Sequence, residues 1–434
     1  MNQTILIEKK RVALLTTWQE VCGIAHYSSF LKRALDRHLD VTVIPTPREI
    51  IHNAQTKIEV RAADELIDNI AFRVRDFDVV SVQFEPGLYG RSHRQAITRV
   101  KRILANSKDF IISFHYFHRE PVIERKSNLR HPIQTARNYL RSALSLLRER
   151  PWKSLYSALV AHSKKHKVTV ITHTKRDTRY MRSLMPSIEV LDNPLCYMDE
   201  DYIANLDGLA KSSNLAERLP PLDEKTRFLG VFGFYSEYKG FDTAVMALNH
   251  LPENYELLMF SGVHDSTLAP DQGVNKYLAS ILELVKKKKL TNRVHFLGSL
   301  SDDDMLLGMM SCDAVIIPYI NSVHTASGPA SQAIELNRMT YCTRNRQFTE
   351  LAKYFPDNFE FIDIGNSIEL AQKIKRSHGR GADRIVNGIR FVEYPARDRR
   401  VTIKDTVENY LRGCDISYRS RTPVHRDQIL NERS

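Results

Sequence analysis

The sequence predicts an α/β protein built as two tandem doubly wound domains that face each other across a cleft, and three observations lead there. From Arg11 onward, short apolar runs rich in β-branched residues alternate with stretches of helical period. The alternation breaks between 199 and 226, where acids, Ser, Asn and the Pro220-Pro221 pair gather, and then restarts. At 434 residues the chain suits two domains, because single cores stop growing near ~250 residues.

The elements follow in order. RVALLTT reads as a strand, IAHYSSFLKRALDRH as a helix, VTVI as a strand, ADELIDNIAFRVR as a helix and DVVSVQF as a strand. The runs FIISFH (110–115), VTVITH (168–173) and IEVLDNP (188–194) continue the series. Strand, helix, strand in repetition implies a parallel sheet with right-handed crossovers, so residues 1–198 form a first Rossmann-like domain. Residues 199–226 are read as a linker. Beyond it come the strands TRFLGVFG, YELLMFSG, RVHFLG, AVIIPY, MTYCT and FEFID. Between them lie the helices DTAVMALNHL, LASILELVKKKK, DDMLLGMM and ASQAIELN, giving a second Rossmann-like domain over 227–395. RRVTIKDTVENYLRG supplies a last helix, within 396–415, expected to pack back toward the first domain. The polar tail 416–434 reads as disordered. Ligands of open α/β sheets bind at the carboxyl ends of the strands, so function is expected in the strand-to-helix loops.

Composition narrows the class. With 42% hydrophobic and 26% charged residues the chain is globular. No window reaches the ~18 to 20 apolar residues of a membrane span, and no signal peptide is read at the N-terminus. Cys22, Cys196, Cys312, Cys342 and Cys414 show no CxxC spacing, which argues against a zinc site or a disulfide framework and for a reducing, cytoplasmic setting. The net charge of +12 favours anionic partners. Much of the basic excess lies between 119 and 167, where Arg and Lys alternate with Leu, Tyr and Trp at helical spacing. Such a face suits the anionic inner surface of a cell membrane as a peripheral site, or simply packs on its own domain.

Several loops carry chemistry. In VFGFYSEYKGFDTAVMAL a strand ends on Gly233, and Lys239-Gly240 opens a helix. Free amides, helix dipole and ammonium together suit a phosphate. Gly23 opens the first helix, where backbone can approach a ligand closely. Gln83 and Glu85 end a strand at the cleft before Pro86, Gly87 and Gly90, and His115 ends the next, with His118 and Glu120 just behind. Asp302, Asp303 and Asp304 follow Ser301 and read as first-turn carboxylates behind an N-cap, rather than metal ligands.

Taken together these segments resemble the family 4 glycosyltransferases, the group 1 type with a GT-B fold and a retaining mechanism. The Lys239-Gly240 loop is similar to that family's grip on the donor pyrophosphate. CGIAHYSSFLKRAL resembles its first loop and helix, SVQFEPGLYG and FIISFHYFH its third and fourth strand ends. FSG, VHFLGSLSDDDM and AVIIPYINSVHTASGPASQAIELN resemble its nucleotide pocket, and the likeness spans roughly 11–198 and 226–411. It implies donor contacts at Gly23, Gly233, Lys239, Gly298, Ser299, Ser327, Gly328 and Glu335, with Gly298 and Ser299 at the base. It further implies catalytic roles for His115 and Lys239, no metal and no cofactor beyond the nucleoside diphosphate sugar, and a glycan or lipid-linked acceptor; Glu85, by its own place at a strand end on the cleft, is read as a third catalytic residue that orients acceptor hydroxyls or acts as a base. Two departures stand out. Phe234 and Tyr235 occupy the place of the Arg that follows the glycine, and the paired glutamates are absent: one register gives Thr325 and Ala333, the other Ser327 and Glu335. A catalytically weakened scaffold serving as partner subunit is the alternative reading; nucleic-acid binding is disfavoured because no recognisable module accompanies the basic residues.

Overall fold

The computed structural model describes residues 9–20, 22–117, 149–221, 223, 225–262, 275–320, 326–376, 382–395, 397 and 401–416. Six parallel strands form the first sheet: β1 (Arg11–Thr16), β2 (Asp40–Pro45), β3 (Val79–Phe84), β4 (Asp109–Phe114), β5 (Val168–Thr172) and β6 (Glu189–Asp192). Their order is β2-β1-β3-β4-β5-β6. Burial follows position. Central β3, VVSVQF, is buried at every residue, as a strand covered on both faces must be, whereas edge strand β2 alternates between core and solvent. The covering helices are patterned to match. Lys57–Arg73 starts in a capping box, with Thr56 Oγ1 accepting from Glu59 N at 3.2 Å and Glu59 Oε2 from Thr56 N at 2.9 Å, and buries Ala63, Ile67, Ile70 and Ala71.

The second sheet holds β7 (Arg227–Phe234), β8 (Tyr255–Gly262), β9 (Val294–Phe296), β10 (Ala314–Ile317), β11 (Thr340–Thr343) and β12 (Phe359–Ile362) in the order β12-β11-β10-β7-β8-β9, again parallel. Two six-stranded doubly wound layers are what the alternating pattern predicts. In each sheet the winding reverses once. The reversal lies between β1 and β3 in the first domain and between β7 and β10 in the second. At such points adjacent loops diverge and open a crevice.

Two features go beyond the sequence reading. Residues 199–226, expected as a linker, fold into helices Glu200–Ala204 and Leu206–Ser212, the first capped by Asp199, whose Oδ1 accepts from Tyr202 N at 2.8 Å. A two-stranded hairpin, β13 (Ala382–Val386) and β14 (Ile389–Glu393), follows the second sheet. Asn387 and Gly388 turn it at φ 49° and 76°, the double left-handed geometry that Asn-Gly tolerates. The last helix, Ile403–Gly413, lies against the first domain: Tyr410 bonds to β3 and β4, and Lys10 Nζ donates to Cys414 O at 2.6 Å. One apolar cluster therefore runs from Val12 and Ile111 through Tyr197 and Leu206 to Phe228 and Val315, joining both domains.

Of the basic segment 119–167, only 149–167 lies within the described residues, with a helix over 149–162. His118, Glu120, Thr325 and all of the tail beyond 416 lie outside them. No helix among the described residues is long and apolar enough to cross a membrane.

Candidate functional site

The second-domain crevice is built by the loops after β7 and β10. Beyond Phe234 the chain makes a short turn over Glu237–Lys239 and reaches Gly240 in the left-handed region, φ 64°. Only glycine fits there: a Cβ would stand 2.2 Å from Pro318 O, in the loop after β10. Gly240 is also the N-cap of helix Phe241–Leu248 and offers no side-chain acceptor to the first amides.

The turn sends Lys239 back over Gly233, where a Cβ would come within 3.2 Å of its Nζ. The ammonium is buried at 8% exposure, donates to Tyr319 Oη at 2.5 Å, and stands 4.1 Å from the Tyr319 ring centroid and 5.1 Å from that of Tyr238. Among the described residues no carboxylate lies within ion-pair distance of it. Burial accordingly pushes its pKa down, with Tyr238 opposing. Tyr319 Oη lies 3.4 Å from Ser327 Oγ, and Ser327 caps helix Gly328–Glu335 by accepting from Ala330 N. Lys239, Tyr319 and a helix N-terminus thus converge. Tyr235, in the place of the expected Arg, is buried in the second-domain core and is no substitute cation.

Neighbouring loops place the other second-domain candidates. Gly298 is left-handed, φ 67°, and Arg218 holds the loop around it by donating to Leu297 O and, at 3.2 Å, to Ser299 O. Ser299 packs on Gly262, where no Cβ would fit beside its Oγ. Glu335 is not a surface carboxylate. It is 5% exposed and accepts from Tyr197 N at 2.9 and 3.0 Å and Met198 N at 3.1 Å, tying the domain junction to the helix. Ala333 is wholly buried. The three acids at 302–304 diverge: Asp302 reaches His26 Nδ1 at 2.5 Å, Asp303 accepts from Tyr202 Oη, and Asp304 from Ser213 Oγ at 2.5 Å. Ser301 caps their helix. Among the described residues no group of three His, Cys, Asp or Glu could hold a metal.

In the first domain, Gly23 opens helix Gly23–Leu35 with no side-chain cap and open space where its Cβ would stand. One turn on, His26 crosses to the second domain, with Nε2 2.6 Å from the Gln332 amide. Glu85 follows β3 at the winding reversal, and its burial pushes its pKa up to about 7, with Arg48 opposing. His115, at the end of β4, is buried, 2.9 Å from Gln83 Oε1, and its ring lies 4.7 Å from that of His173 and 5.8 Å from that of Tyr27.

Sequence reading missed Tyr238, Tyr319, His26, His173 and Tyr410. Tyr319 and His173 stand just past strands, at Ile317 and Thr172, where a strand-end search finds them; Tyr410 carries no local signal.

By sequence the chain matches no family model and no curated protein. Solved structures do resemble it. An α,α-trehalose-phosphate synthase (UDP-forming) from Burkholderia xenovorans in complex with glucose-6-phosphate superposes with a TM-score of 0.57 at 10% identity, over 93% of this chain and 100% of that one. HepE from Anabaena in complex with UDP and glucose gives 0.51 at 14%, over 85% and 89%. A sucrose-phosphate synthase from Thermosynechococcus elongatus gives 0.50 at 13%, over 85% and 89%. These neighbours are GT-B glycosyltransferases, and with its two facing doubly wound domains this chain has the GT-B fold.

Proposed function

We propose that the protein is a retaining glycosyltransferase of the family 4 type that moves a sugar from a nucleoside diphosphate sugar to a hydroxyl of a lipid-linked or polysaccharide acceptor. The carrying observation is Lys239: a buried side-chain amine at a winding reversal, held by the Tyr319 hydroxyl, with no carboxylate at ion-pair distance among the described residues. A buried cation with only neutral partners favours an anionic ligand, and a diphosphate supplies one.

In this reading Lys239 and the amides near Gly23, Ser327 and Gly328 stabilise the charge that develops on the leaving diphosphate. Gly298 and Ser299 present backbone to the base, Gly233 lets the pyrophosphate approach, and His115 positions the sugar. Glu85, with a pKa near neutrality, is suited to take the acceptor hydroxyl's proton. The face of helix 149–162 that exposes Lys153 and Ser157, continued by exposed Lys164 and Lys165 just beyond it, would bring the acceptor side to an anionic cytoplasmic membrane surface.

Thermal shift against UDP, GDP, TDP and ADP sugars tests the donor assignment. A specific donor at about 100 times its Kd should stabilise the protein by roughly 3 kcal/mol, a shift of a few degrees. No shift with any of them overturns the reading. A second reading, a GT-B scaffold that binds donor but has lost turnover, draws on Glu335, whose carboxylate is engaged by backbone amides. It predicts the thermal shift without sugar transfer or donor hydrolysis.

A further inference from the structure

Three distant parts of the chain meet by hydrogen bonds beneath the first sheet. His115 Nε2 is 2.9 Å from Gln83 Oε1, at the end of β3. The same Gln83 donates from Nε2 to Tyr410 Oη at 2.9 Å, and Tyr410 Oη lies 2.7 Å from Ser113 Oγ, in β4. All four side chains are buried. Gln83, Ser113 and His115 belong to the first domain, but Tyr410 arrives on the last helix, after the whole second domain.

An amide side chain has one acceptor end and one donor end. Anchoring the NH2 of Gln83 on Tyr410 turns its oxygen toward the imidazole, and only an Nε2–H can bond that oxygen. In this arrangement Tyr410 Oη accepts from Gln83, and the oxygen of Gln83 in turn meets an Nε2–H of His115. Neighbouring rings fix the plane. His173 is anchored by its Nδ1–H donating to Asn193 O at 2.8 Å, and burial pushes its pKa down to about 4. It is neutral near pH 7 and adds no like charge beside His115. Tyr27 closes another side, its ring inclined at 72° to that of His115.

We infer that Gln83 and Tyr410 are positioning residues for His115, so that the docked C-terminal helix, rather than the first domain alone, sets the imidazole's tautomer and orientation for sugar transfer. The extension rests on the place proposed for His115 beside the sugar, whereas the tautomer can be read without substrate. A group that must meet a reacting sugar gains most from being held in one orientation, and loosening it lowers turnover more than binding.

The test compares full-length wild type, Tyr410→Phe, Gln83→Leu and a control, Arg412→Ala, which removes a surface ion pair of the same helix with Glu189. Histidine-selective 15N labelling reads the ring nitrogens of His115, assigned by its loss in His115→Gln. The expected result is a single Nε2–H tautomer in wild type and Arg412→Ala, and a mixture, or a titration midpoint moved by about half a pH unit, in the other two. With UDP-glucose as probe and UDP release as readout, kcat should fall about tenfold in both variants while KM stays within about twofold. Unchanged His115 signals in Tyr410→Phe and Gln83→Leu overturn the inference, as does an equal change in Arg412→Ala. Should Tyr410→Phe not fold, Gln83→Leu carries the same decision. If wild type releases no UDP while the tautomer still responds, the network stands and the proposed activity falls.

Discussion

Lys239 Nζ stands 4.1 Å from the centroid of the Tyr319 ring and donates to its hydroxyl at 2.5 Å, although 80 residues separate the two in sequence. The pair joins the loops after β7 and β10, so the winding reversal and the buried cation occupy one place. Burial lowers the lysine's pKa, so the charged form is disfavoured in the fold and stability rises with pH through the window below the ordinary lysine value.

Replacing that charge should separate stability from binding. Lys239→Met, which keeps length and burial, is expected to leave the melting temperature of the ligand-free protein at pH 7 unchanged or raised by a few degrees. Its stabilisation by the best nucleotide sugar should vanish. A retained ligand-induced shift argues against the diphosphate assignment.

Gly240 carries the geometry that aims Lys239. Gly240→Ala would meet Pro318 O and bear a left-handed backbone strain, together costing roughly 2 kcal/mol or more. A lower melting temperature and at least about tenfold weaker binding of UDP-glucose should follow, since the turn that presents Lys239 must shift. Calorimetric titration measures the binding.

Glu85 gives the pH dependence its sign. Its folded pKa is raised to about 7, so the stability it contributes is present in acid, below its ordinary value, and is lost as pH rises through about 7. Glu85→Gln should therefore gain on wild type by about 2 kcal/mol between pH 5 and pH 8. Activity should run the opposite way: a carboxylate base is competent only above its pKa, so wild-type turnover rises through about pH 7, and the variant loses that limb.

Glu335 accepts from the backbone amides of Tyr197 and Met198, and removing an acceptor from buried amides costs on the order of 1–3 kcal/mol. Glu335→Ala is expected to lower the melting temperature by several degrees while UDP affinity stays within about threefold. A loss of affinity without loss of stability would instead assign it to the ribose.

The two doubly wound domains, the turn at Lys239-Gly240 and the capped helix after Ser301 were legible in the chain itself. Hydrophobic period, glycine placement and capping chemistry act over a few residues, and each of these features is local. Even the Asn387-Gly388 hairpin, which the reading passed over, carries its signal in two adjacent residues. The partners of the buried polar groups were not legible. Tyr319 beneath Lys239, the amides at Glu335, the His26–Asp302 bridge and the Tyr410–Gln83–His115 chain join residues as far as 327 positions apart. Which buried acceptor meets which donor depends on how both sheets wind and where the last helix returns. A strand-end Gln or a helical Tyr looks the same in sequence whether or not that return brings them within 2.9 Å.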